Sequence, residues 1–346
     1  MAERARVSNK DILVVGASLG GIEALRKIVA ELPADLPAAI FVALHTAPSS
    51  PGILGKILDR AGPMPATNAV SGERFRLGQI YVAPPDHHLL LDEDDRLLLT
   101  RGPRENRFRP AIDPLFRSAA LSYGPRVIGC VLTGYLDDGT AGLYAVKQRG
   151  GTAVVQDPFD AEAPSMPQSA MNFVKVDYCV PVSEMAALWT RLVRESADLQ
   201  GVAPVSDELD FEVQIAKERK LPDAELVKMA APTVFTCPEC HGTLLQLVEK
   251  GRVRFRCHTG HAYSVDSLLT ETAEYVETSL WNAIRSIQEN AMLMRHVAQH
   301  LKETGQTDSA SRLIGKASEA EQRAALLATV RRESPGPNET VEEAVN

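Results

Sequence analysis

No apolar run in the 346-residue sequence reaches the roughly 18 residues needed to cross a bilayer, and the start, Met1 to Lys10, is polar with no hydrophobic signal-peptide core. Membrane insertion is therefore not expected, and a cytoplasmic setting is. Positive charge is also lacking. A formal net charge of -8 and a pI near 5.6 argue against a surface that gathers nucleic acid or anionic lipid by long-range attraction. Cysteine is sparse and odd in number. Of the five, Cys237, Cys240 and Cys257 cluster late, while Cys130 and Cys179 lie in apolar, strand-like runs. In a reducing compartment that distribution favours a metal site plus two inert core thiols over a disulfide framework. What is present is ample apolar residue, 45% of the chain, enough for an ordinary core in more than one domain.

The chain is organised around Gly16-Ala17-Ser18-Leu19-Gly20-Gly21. Asp11 to Val15 before it reads as a buried strand. Ile22 to Leu32 after it carries apolar residues at Ile22, Leu25, Ile28, Val29 and Leu32, which is helix spacing. Ser18 thus falls on a strand-to-helix turn whose glycines let the hydroxyl project above a sheet. Further strands are predicted at Ala38–Leu44, Val127–Leu132 and Thr152–Val155, with helices at 53–60, 112–122, 140–149 and 185–195. Residues 79–100 read as an antiparallel excursion. The alternation predicts a doubly wound α/β fold with a mostly parallel sheet and flanking helices over residues 8–196.

Three residues of catalytic type follow buried strands: Ser18, His45 and Asp138. In a parallel sheet the carboxyl ends of the strands share one edge, so these residues are expected to meet. Ser18 would be the nucleophile, His45 the base and Asp138 the carboxylate that orients the imidazole. The Leu19 N–H, just after the serine, and the Gly134-Tyr135 turn are the candidate oxyanion donors. Taken singly, each residue also fits a plainer role: a phosphate-cradling turn, a structural histidine, a helix cap. A dinucleotide site competes as well, since Gly16-x-Ser18-x-x-Gly21 is one substitution from its fingerprint. That fold wants an acidic residue where His45 stands, which favours hydrolysis.

Residues 197–233, with an acidic helix at Asp207–Lys217 between Pro204, Pro222 and Pro232, read as a linker. In residues 234–263, Cys237-Pro-Glu-Cys240 can present two thiolates to one ion. Cys257 and His261 can complete a tetrahedral structural Zn(II) site, with His241 and His258 as nearby substitutes. About thirty residues would otherwise lack core enough to fold. Arg252, Arg254 and Arg256 alternate on one strand and make one face basic, suited to a protein contact or to solvent. From Leu269 to Leu301, and again from Ala310 to Leu327, apolar residues step by three and four, predicting an antiparallel helical hairpin over 264–333. Residues 334–346 read as a disordered tail.

Val15–Leu25, Tyr81–Asp86, Arg109–Ala119 and Leu132–Gly142 resemble, in order, the motifs of the catalytic domain of chemotaxis protein-glutamate methylesterases. Val155-Gln156-Asp157 and Ser165-Met166-Pro167 add to the match, which covers roughly residues 8–195. The resemblance implies a serine hydrolase that needs no catalytic cofactor. It would remove methyl groups from glutamate esters on methylated chemoreceptors, release methanol and, in some members, deamidate glutamine. It also implies Ser18, His45 and Asp138 as the triad and Arg109 as a substrate contact, with pairing to a carboxylate such as Asp113 as the plainer role. About ten residues precede the first strand, so the resemblance is to a standalone form without the usual receiver domain. Leu19 stands where threonine is common, and Tyr135-Leu136-Asp137 replaces a more usual Met-Gly-Asn or similar. The helical hairpin is the candidate surface for self-association or a signalling partner. An inactive scaffold that binds receptor or kinase partners is the alternative function.

Overall fold

The computed structural model describes residues 9–199, 202–219, 230–249 and 252–333. Most of the polar start, the Pro222 joint and the tail over 334–346 lie outside these. In chain order the first nine strands are β1 (Ile12–Ala17), β2 (Ala39–Leu44), β3 (Ala66–Asn68), β4 (Gln79–Val82), β5 (His88–Leu91), β6 (Leu97–Thr100), β7 (Val127–Val131), β8 (Thr152–Gln156) and β9 (Tyr178–Val180). All but β5 and β6 form one seven-stranded sheet in the order β3-β4-β2-β1-β7-β8-β9, and every pairing in it is parallel. Among these nine strands only β5 and β6 pair antiparallel, so the expected excursion is shorter than 79–100: β4 belongs to the main sheet.

The central strands β1, β2 and β7 are unbroken buried runs because both faces are covered. Helices α1 (Gly21–Glu31), α2 (Leu54–Asp59), α3 (Ile112–Tyr123), α4 (Thr140–Gln148), α5 (Ser165–Phe173) and α6 (Val182–Leu192) fill the connections. Leu13 and Val15 of β1 join one apolar cluster with Leu25, Ile28 and Trp189. Ile12 and Val14, pointing the other way, join a second with Phe116, Leu143 and Val146.

The segment expected to be a linker is packed. Helix α7 (Asp207–Ala216), capped by Ser206 Oγ accepting from the Leu209 N–H at 3.2 Å, buries Leu209 and Val213 in the cluster that holds α3. The cysteine module follows as a four-stranded antiparallel sheet, β10 (Ala231–Thr236), β11 (Thr243–Glu249), β12 (Arg252–Cys257) and β13 (Ala262–Ser264). It belongs to the same compact unit, which runs to Ser267. From Leu268 the chain forms a second unit. Helices α8 (Val265–Glu303) and α9 (Thr307–Glu333) fold back at Gly305, whose φ of 81° suits glycine. Ala291, Ala317 and Ala320 pack closely with Ile287 and Met294, and Arg295 clasps Glu321 with two bonds of 2.7 Å.

The module is held to the sheet domain by buried charge. Arg252, Arg254 and Arg256 do not face solvent: all are buried. Arg256 reaches Glu212 of α7 and, at 3.2 Å, Glu105. Arg254 lies 3.5 Å from Glu212, and Arg117 of α3 pairs with both glutamates. Burial alone would push these carboxyls up, but the surrounding guanidinium groups hold Glu105 and Glu212 below the ordinary carboxylate range. A folded value below the unfolded one, about 4.3, makes a contribution to stability that is full above that pH and is lost as pH falls through the depressed values. Denaturant titrations are therefore expected to show a midpoint that falls as the solution is acidified below about pH 4.3. Glu212→Gln, which leaves three buried guanidinium groups to share Glu105 alone, should cost about 3–5 kcal/mol at neutral pH; an unchanged midpoint would contradict the assignment.

Candidate functional site

In the parallel β1–β2 ladder Ala17 stands opposite Leu44, so the next residues on the two strands, Ser18 and His45, leave the sheet side by side. Strand β1 is also the point from which the strand order runs in opposite directions, the crevice where open α/β sheets place their ligands. Ser18 donates its N–H to the Thr133 carbonyl at 2.9 Å, and its own carbonyl accepts from the Gly21 N–H at 2.9 Å. Gly20 between them has φ 75°. The tight turn holds the hydroxyl above the sheet edge.

His45 Nδ1 is 3.2 Å from Ser18 Oγ, and its Nε2 is 2.7 Å from Asp138 Oδ2. An ionised carboxylate can only accept, so the neutral ring carries its proton on Nε2 and offers the Nδ1 lone pair to the serine hydroxyl. Phe108 stacks flat on the imidazole, centroid to centroid 3.7 Å at 7°, and fixes the ring plane. The ring nitrogens are used in the opposite sense to the chymotrypsin-type triad; either nitrogen can perform the same proton transfer.

Asp138 is buried to 2% exposure. Burial works against its charge, but hydrogen bonding and attraction from His45, the Ile112 N–H and Asn106 outweigh it and hold the carboxyl at about 2. Oδ2 accepts from His45 and from the Ile112 N–H at 2.7 Å. Oδ1 accepts from Asn106 Nδ2 at 2.9 Å, the Gly139 N–H at 3.0 Å and the Asp113 N–H at 3.3 Å. Ile112 and Asp113 open α3, so the carboxylate also sits on a helix N-terminus. Asp113, buried next to Asp138, is pushed up to about 6 by desolvation and by that neighbour.

Ser18, Leu19, His45 and Phe108 line a cleft of about 760 Å³, with Arg104, Arg107 and Arg109 on its wall. Arg109, on that wall, pairs with Asp86 at 2.6 Å and donates to the carbonyls of Arg101 and Gly102 at 2.9 and 2.7 Å. The suggested partner Asp113 instead accepts from Asn106 and from the N–H groups of Gly139 and Gly142. Of the candidate oxyanion donors, the Gly134 N–H is spent on the Ala163 carbonyl at 2.9 Å. Tyr135 is half exposed and does not line the cleft. Asn106 and Phe108, which hold Asp138 and His45, carry no sequence signal: they belong to an irregular segment where Asn106 and Arg107 have positive φ, and only the tertiary fold brings that segment to the strand ends.

The second chemical cluster is in the cysteine module. The thiols of Cys237, Cys240 and Cys257 and Nδ1 of His261 lie within 4.8 Å of one another. The edges of 3.5 Å for Cys240–Cys257, 3.5 Å for Cys257–His261 and 3.6 Å for Cys237–His261 are close to the roughly 3.8 Å edge of a tetrahedron with Zn–S bonds of about 2.3 Å. Nε2 of His261 faces Glu239 at 3.3 Å, a partner that orients the ring. These donors can hold a metal ion, and they fit Zn(II) in kind and spacing. His241 and His258 are not part of the four-donor set. Of the other two cysteines Cys130 is buried, but Cys179 is exposed and is not a core thiol.

Comparison with known proteins adds sequence and structure. The CheB methylesterase family model matches residues 13–188, just over half the chain. A Leptospira interrogans protein assigned as a protein-glutamate methylesterase/protein-glutamine glutaminase is 39% identical over 184 residues, 53% of this chain and 95% of its own. Protein-glutamate methylesterase/protein-glutamine glutaminase 2 of Methanosarcina mazei is 33% identical over 198 residues, 55% of this chain and 54% of its own. The crystal structure of the Thermotoga maritima CheB methylesterase catalytic domain superposes with a TM-score of 0.51 at 33% identity, over 53% of this chain and 98% of that one.

The geometry makes a substrate-independent forecast. A fluorophosphonate, which reacts with activated serines, should label Ser18 in the full chain, and His45→Ala should slow labelling by about 10²–10⁴-fold. Peptide mapping after labelling reads both outcomes; modification of another serine at an unchanged rate would refute the assignment.

Proposed function

The chain belongs to the CheB methylesterase family, and from that premise we propose that it hydrolyses the γ-methyl esters of glutamate residues on methylated chemoreceptors. Ser18 Oγ attacks the ester carbonyl carbon while His45 Nδ1 takes its proton. The tetrahedral oxyanion is met by the Leu19 N–H, two residues before α1. Collapse breaks the C–O bond to the methoxy group, which leaves as methanol with the proton from His45. A water then gives a proton to His45, attacks the acyl-enzyme and frees the glutamate carboxylate and Ser18. Deamidation of glutamine, the other half of the relatives' paired name, is the same acyl transfer with ammonia as leaving group.

The observation that carries this reading is the unbroken contact from Ser18 through His45 to Asp138 at the sheet edge, inside the region the family model covers. The same contact weighs against the inactive-scaffold alternative, which needs no such geometry. No catalytic cofactor enters these steps. Zn(II) in the Cys237, Cys240, Cys257 and His261 set has a structural role, since four protein donors leave no open position. A reducing, cytoplasmic setting is supported by the five free cysteines. Among the described residues no helix is long and apolar enough to cross a membrane. The exposed Leu269 and Val276 on the α8 seam support a role for the hairpin in self-association or in binding a signalling partner.

Incubation with methyl-labelled receptor should release methanol, and Ser18→Ala should reduce release to the uncatalysed background. Equal release by the variant would exclude the proposed nucleophile, and no release by the parent from any receptor tested, with receptor binding retained, would favour the scaffold. Elemental analysis of protein purified without chelator should find about one zinc per chain; a value below about 0.2 would count against the tetrahedral site.

A further inference from the structure

One of the residues that hold Asp138 is itself held from outside the family domain. Asn106 occupies the centre of this arrangement at 2% exposure. Its Nδ2 donates to Asp138 Oδ1 at 2.9 Å and to Asp113 Oδ2 at 3.0 Å. Its Oδ1 accepts from the Ser264 N–H at 3.1 Å and, more weakly, from Ser267 Oγ at 3.4 Å. Its backbone N–H donates to the Ala262 carbonyl at 2.8 Å. Every polar atom of the amide side chain thus has a partner. The two faces of that one side chain belong to different parts of the molecule: carboxylates of the esterase on one side, the last strand of the cysteine module and the residues after it on the other.

A second contact runs in parallel. Asp137, next in sequence to Asp138, accepts from Arg252 Nη2 at 2.8 Å and from Ser264 Oγ at 2.6 Å. Arg252 also lies over the ring of Phe173 at 5.7 Å. A third runs through the backbone, where the Ala262 N–H donates to the Arg104 carbonyl at 3.2 Å and Glu105 bridges Ala262. Residues 104–108 therefore join β13 at one end and carry Phe108, stacked on His45, at the other.

We propose that the cysteine module is part of the esterase's working framework, with Asn106, Arg252 and Ser264 acting as positioning residues that hold Asp138 and the His45-stacking segment in place. The inference rests on the triad reading above and assigns to the C-terminal extension a task inside the active site. Asn106, Arg252 and Ser264 do not line the cleft, so their effect falls on turnover and not on substrate capture. Loss of a charge-assisted hydrogen bond to a buried carboxylate is large enough to register in the rate.

The test uses the full chain, with kcat and KM for methyl ester hydrolysis measured well below each variant's unfolding midpoint. Asn106→Ala should lower kcat by about ten- to a hundredfold with KM changed less than about threefold. Ser264→Ala, which deletes a single oxygen, should lower kcat by about two- to fivefold. Arg252→Ala should act in the same direction, with Arg252→Lys recovering most of the loss through its retained charge. Hydrogen exchange at residues 104–108 should quicken in the alanine variants, a readout independent of turnover. A kcat within twofold of the parent in both Asn106→Ala and Ser264→Ala overturns the proposal, as does an effect confined to KM. If Asn106→Ala does not fold, Ser264→Ala and the Arg252 pair decide by the same criteria. Parent activity that survives Ser18→Ala overturns the triad reading instead, so the two failures are distinguishable.

Discussion

A carboxylate removed from water must find donors for both oxygens, and Asp138 meets that demand with five. Each donor constrains a different part of the chain. Ile112 and Asp113 bring the first turn of α3 to the strand end, the Gly139 N–H sets the entry to α4, His45 ties in β2, and Asn106 ties in the irregular segment before α3. The sheet supplies the common edge, but the buried charge determines what converges there. Because His45 Nε2 is one of the five donors, satisfying Asp138 also leaves Nδ1 aimed at Ser18.

The contact between the sheet domain and the cysteine module follows a related constraint. Arg117, Arg254 and Arg256 share Glu105 and Glu212 in a nearly dry interface. Desolvation offsets much of the attraction in such clusters, so an apolar interface of equal area could be as stable. A charged interface, however, penalises misalignment, because a shift by one residue turns the arginines on β12 away from their partners. Register between module and esterase is thus specified by charge, and the contacts of Asn106 and Asp137 with Ser264 lie within the region that this register aligns.

The α/β alternation was readable because buried parallel strands are unbroken apolar runs, and the positions of Ser18 and His45 followed from strand ends alone. The cysteine set was readable because metal ligation demands particular residue types at short spacing. What stayed hidden depended on partners distant in sequence. β4 could not be told from the hairpin strands beside it by pattern, since a four-residue run looks the same in a parallel or an antiparallel pairing. The proline-flanked stretch around α7 looked like a linker because its acidic residues mask Leu209 and Val213. The alternating arginines of β12 suggested an exposed basic face, since nothing local announces that Glu105 and Glu212 will meet them. Arg109 matched a motif, yet the motif does not report that Asp86 takes up its guanidinium.

Asp137 ties these threads together. It places a second carboxylate next in sequence to Asp138. A buried carboxylate beside Asp138 and Asp113 needs hydrogen-bond donors of its own. Here Arg252 and Ser264 of the module supply them. The loop before α4 and the cysteine module are therefore two sides of one contact: Asp137 accepts what Arg252 and Ser264 donate. Asp137 is thus a docking contact, separate in space from Leu19, which lines the cleft.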